Sequence, residues 1–136
     1  VSNASDVLPS KMVDDFYHLS TSEQMREFKS HAIDEQYELY VFGNQVVHPP
    51  ATYLADPFAR QGAKAVPFLK AKLETEKNEA RIRDITLVFT EMARLKTYDC
   101  SRDPELMNLL NQKARGMQGI WKDITLKFIS DIQGTQ

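Results

Sequence analysis

Between Asn78 and Leu95 the residues Ile82, Ile85, Phe89 and Met92 recur at spacings of three, four and three. Of the regular structures, the α-helix gathers such positions on one face, because it turns once every 3.6 residues. Similar spacing returns in Met12, Val13, Phe16 and Leu19, in Met25, Phe28, Ala32, Leu39 and Phe42, and in Leu106, Leu109, Leu110 and Ala114. The Val, Ile and Thr residues alternate in period two over no long stretch, so strands find little support. An apolar stripe on each helix has to be covered by another helix, which points the chain to an all-α fold. With 42% hydrophobic residues over 136 positions there is material for one core, expected as a single domain over residues 9–133 with flexible tails at 1–8 and 134–136.

Local signals place the boundaries. Ser10 can cap a short first helix, and Ser20 with Glu23 forms a capping box that opens a second. That second helix is expected to run about 22 residues to Phe42, where Gly43 and Asn44 offer a left-handed stop. Two prolines after His48 break the chain. A short or bent helix follows from Thr52 to Ala59, kinked at Pro57 and ended at Gly62. Ala65, Val66, Leu69 and Leu73 then form a stripe in which Pro67 is tolerated only in the first turn, so this helix starts near Lys64. The charged run "ETEKNE" reads as a turn before the helix of Ile82 to Met92. Asp103 and Pro104 open a further helix, and Gly116 and Gly119 interrupt the run into a last one bearing Ile120, Trp121, Ile124, Leu126, Phe128, Ile129 and Ile132. The count comes to about six or seven helices.

Seventeen basic and nineteen acidic residues leave a net charge of -2, which supplies no field for a phosphate backbone, so nucleic acid is not an expected partner. Residues 1–58 hold nine acidic and three basic side chains, and residues 59–96 nine basic and five acidic. That asymmetry implies either two differently charged faces or, more simply, solvated helix surfaces that intermix on folding. No run approaches the ~18 apolar residues of a membrane helix, so the chain is read as soluble, without membrane insertion. A start at "VSNASDVLPS", without Met, fits a processed periplasmic or secreted protein or the trimmed start of a cytoplasmic one.

Chemistry-bearing patterns are sparse. The single Cys100 excludes an internal disulfide and, with no base near it in sequence, reads as a small buried residue. His18, His31 and His48 make no pair of ligands on one helix face. The carboxylate pairs Asp14/Asp15, Asp34/Glu35 and Glu74/Glu76 lie in polar surroundings and read as solvated faces. Neither a glycine-rich phosphate loop nor a nucleophile elbow is present, so no catalytic residue, metal ligand or cofactor is expected.

The segment "GAKAVPFLKAKL" followed by "NEARIRDITLVF" resembles a HEAT repeat of the short type. Gly62, Ala65, Val66, Pro67, Leu69 and Leu73 match its first helix, and either Arg81 or Arg83 would be the arginine that supports its turn. The flanks "PPATYLADPFARQG" and "DPELMNLLNQKARGM" could end and start neighbouring degenerate units, though neither holds the Ala-Val-Pro core. Stacked repeats need about three units to bury a continuous core. The resemblance therefore implies HEAT-like hairpins in a short solenoid or an irregular bundle. It further implies a non-catalytic module that binds another protein through a rigid face, as an adaptor or as a stoichiometric inhibitor of the bacterial immunity-protein kind.

Tyr37, Tyr40, Tyr53, Tyr98 and Trp121 are the aromatics able to anchor a partner, although helical spacing assigns most of them to the core. Tyr98 is the best placed, in the polar stretch "KTYDCSRD" with Asp99 and Arg102. The competing class is a small-molecule binder or enzyme whose site is assembled from separate helices. A deep pocket lined by His48, Tyr53 and Arg60 would favour it. A subunit that exists only as a homo-oligomer is the third possibility.

Overall fold

The computed structural model describes residues 10–47 and 50–134, and every regular element among them is a helix. Eight α-helices follow one another: α1 Lys11–Tyr17, α2 Thr21–Phe28, α3 Ile33–Val46, α4 Ala55–Ala59, α5 Val66–Thr75, α6 Glu79–Leu95, α7 Pro104–Arg115 and α8 Lys122–Gly134. Short 3₁₀ turns stand at Thr52–Leu54, Gly62–Lys64 and Cys100–Arg102. Of the positions expected as tails, 1–8 and 135–136 lie outside the described residues and Gly134 ends α8. The helices gather into two compact units that divide between Pro57 and Phe58, inside α4.

In the first unit the expected caps are in place. Val13 N–H donates to the Ser10 hydroxyl (3.3 Å), while Glu23 N–H donates to Ser20 Oγ (3.3 Å) and Ser20 N–H to Glu23 Oε1 (3.0 Å). The long helix expected from Ser20 to Phe42 is two helices, α2 and α3, and this break helps bring the count to eight. Side chains serve both ends of the break. Ser30 donates its hydroxyl to the Glu27 carbonyl (2.7 Å), the Gln36 amide donates to the Phe28 carbonyl (3.0 Å), and Ala32 N–H donates to the Glu35 carboxylate (3.1 Å). Groups that a helix end leaves without partners are thereby satisfied.

Gly43 does not stop α3, which continues through it to Val46. A Cβ at Gly43 would stand 2.0 Å from the Tyr17 hydroxyl oxygen and 2.5 Å from Ala51 Cβ, so glycine is there to let these groups approach the helix. The Tyr17 hydroxyl donates to the Leu39 carbonyl (2.6 Å). Phe16, Phe28, Tyr37, Leu39 and Tyr40 are buried in this unit.

In the second unit Pro67 occupies the first turn of α5, as its missing donor requires. Gly62, just before it, adopts the left-handed φ of +59°, and a Cβ there would meet the Thr97 carbonyl oxygen at 2.6 Å. Asn78 caps α6 by accepting from Arg81 N–H (3.2 Å), and Asp103 caps α7 by accepting from Leu106 N–H (3.1 Å). The last helix begins later than its apolar run suggests. Lys122 N–H donates to the Gly119 carbonyl (3.3 Å), and Ile120 and Trp121 belong to the turn that precedes α8.

The four long helices of this unit pair in two parallel sets. Lys70 near the middle of α5 reaches Asp103 and Glu105 at the start of α7, and Lys113 near the end of α7 donates to the Glu76 carbonyl at the end of α5 (2.9 Å). From α6 to the α8 segment the contacts advance in the same order, Glu79 with Gly119, Arg83 with Trp121, and Thr90 with the Phe128 carbonyl. The sequence pattern keeps step. Pro67, Leu69 and Leu73 are followed 37 residues later by Pro104, Leu106 and Leu110; Ile85, Phe89 and Met92 are followed 40 residues later by Thr125, Ile129 and Ile132. Apart from the prolines, each of these side chains is at most 2% exposed.

Candidate functional site

The turn from Thr97 to Asp103 brings together three of the residues singled out in the sequence. Tyr98 is half-buried and donates its hydroxyl to Asp103 Oδ2 (2.6 Å), whose other oxygen caps α7. That hydrogen bond, with burial second, pushes the Tyr98 phenol up to about 12. Burial works against the charge of Asp103, but the donors from Tyr98, Leu106 and Lys70 outweigh it and hold the carboxyl below its ordinary value. Lys70 also pairs with Glu105. Asp99 and Arg102 are exposed and pair with each other (3.4 Å), and Ser101 donates to Asp99 (2.8 Å). Tyr98 therefore spends its polar handle on an internal carboxylate, while Asp99 and Arg102 lie on the surface of the turn.

A depression of about 360 Å³ opens beside this turn, lined by Ala93, Lys96, Tyr98, Asp99, Cys100 and Ile132 among others. Burial pushes the Cys100 thiol up to about 12, so at neutral pH it is a protonated thiol and a poor nucleophile. The other three expected positions do not extend this site. His48 lies outside the described residues. Tyr53 is half-buried and donates its hydroxyl to the Gln24 side chain (2.5 Å). Arg60 is exposed, in the stretch between α4 and α5. Tyr37 and Tyr40 are core residues. Among the described residues no group of three or more His, Cys, Asp or Glu side chains could hold a metal ion, and no helix is long and apolar enough to cross a membrane.

A second site comes from the turn between α7 and α8. Among the described residues the large exposed hydrophobics are Val46, Ile120 and Trp121, at 52%, 83% and 38% exposure, and two of the three are consecutive. The turn that carries them is held from two sides. Glu79, in the first turn of α6, accepts from Gln118 N–H on one carboxylate oxygen (3.0 Å) and from Gly119 N–H on the other (2.8 Å). These two backbone donors hold the Glu79 carboxyl below its ordinary value. On the far side the Trp121 carbonyl accepts from the Thr125 hydroxyl (2.7 Å) and N–H (3.1 Å).

The indole is positioned as well. The Arg83 guanidinium lies 4.1 Å from the centre of a Trp121 ring, and both its Nε and its Nη2 donate to the buried Asp84 (3.0 and 2.7 Å). A cation over an indole face is worth about 0.5–1 kcal/mol at an exposed site. The result is an exposed apolar knob whose flanking backbone is hydrogen-bonded to Glu79 and Thr125 and whose indole is stacked by Arg83.

No family model, curated protein or solved structure matches the chain. Sequence reasoning named Trp121 but assigned Ile120 and Trp121 to the stripe of the last helix. The signal that could have moved them out was the three-residue excess of this connection, which emerges only when the leucines of α5 and α7 are aligned.

Proposed function

We propose that the chain is a non-catalytic protein-interaction module, an adaptor or stoichiometric inhibitor, in which two HEAT-like hairpins, α5–α6 and α7–α8, form a rigid frame for the Ile120–Trp121 knob. The carrying observation is the exposure of two adjacent large apolar side chains on a turn whose backbone is clamped by Glu79 and Thr125. Leaving such side chains in water forfeits burial worth about 1.5–3 kcal/mol for a side chain of this class, a loss that a partner's pocket would recover. Anchors of this kind, already held in place, lose little conformational entropy on binding. The 37-residue step between Pro67–Leu69–Leu73 and Pro104–Leu106–Leu110 is the observation that favours the repeat reading.

The test is quantitative affinity capture from the source organism with three baits: the wild type, Ile120→Asp and Trp121→Ala. A stoichiometric protein retained by the wild type and lost from both variants, with their helical circular dichroism unchanged, is the expected result. Identical recoveries from all three baits, or no partner under several growth conditions, would overturn the reading.

A further inference from the structure

We draw no further inference here: the strongest candidate, the depression of about 360 Å³ beside the turn at Thr97–Asp103, is lined by the buried Cys100 thiol and by Asp99, which already pairs with Arg102 and Ser101, and nothing in the structure shows what ligand it would take.

Discussion

The phenol of Tyr98 donates a hydrogen bond to Asp103 at 2.6 Å, and its ionisation is therefore tied to folding. Its pKa is raised to about 12 in the folded chain from the ordinary 10. A group whose folded pKa is raised contributes stability that is present below its unfolded pKa and is lost as pH rises through the folded value. Chemical denaturation at a series of pH values should show this contribution fading between about pH 10 and 12, and the slope should be shallower in Tyr98→Phe, where Cys100 and Tyr17, whose pKa values are also raised, still contribute; the substitution is expected to cost about 1 kcal/mol at neutral pH. Gly43 carries a second residue-scale test. Gly43→Ala places a methyl group against Tyr17 and Ala51, and overpacking of this kind costs about 1–3 kcal/mol, measured as a lower midpoint in urea. Tyr17→Phe should recover part of that loss in the double variant, because the nearest clash is with the hydroxyl oxygen, while Ala51 Cβ remains in the way. From sequence, Gly43 could be read only as a helix stop, since a close-approach glycine and a terminating one are identical until the packing partner is known.

At the scale of elements, the clamp of Glu79 on Gln118 and Gly119 is the contact that presents the knob. Glu79→Gln removes the negative charge and leaves at most one acceptor oxygen, so amide hydrogen exchange at Gln118 and Gly119 should speed up while the amides of α6 keep their protection. In the wild type the carboxyl is held low by those two donors, so the clamp is complete above its ordinary pKa and is lost as pH falls through the depressed value. Trp121 fluorescence should change in that acidic window and show no such step in Glu79→Gln. Caps at this scale were legible where a residue of capping type opens the helix, as with Ser10, Ser20 with Glu23, and Asp103. The break between α2 and α3 was not. It depends on the Glu35 carboxylate reaching back to Ala32, and alanine carries no capping signal of its own. The start of α8 was missed for a related reason, since the contact that holds Gly119 comes from Glu79, forty residues away.

For the molecule as a whole, Cys100 serves as a reporter of opening. Its thiol is buried and protonated up to about pH 12, so a thiol reagent at neutral pH should modify it only through unfolding. Its labelling rate should follow the urea stability curve, and rapid labelling of the native chain would show that the turn at Thr97–Asp103 opens by itself. The all-helical class was readable because period and composition carry it at every segment. The parallel pairing of α5 with α7 and of α6 with α8 was not, because residues 37 to 40 positions apart meet there and only one of the two hairpins bears the Ala-Val-Pro core. Yet the two hairpins stay in step although the second connection is three residues longer than the first. Loop length is thus decoupled from the frame that carries it. For protein engineering this makes positions 118–121, beyond the buried Met117, an insertion point: sequences of other lengths could be displayed there, provided two successive amides remain for Glu79 to hold.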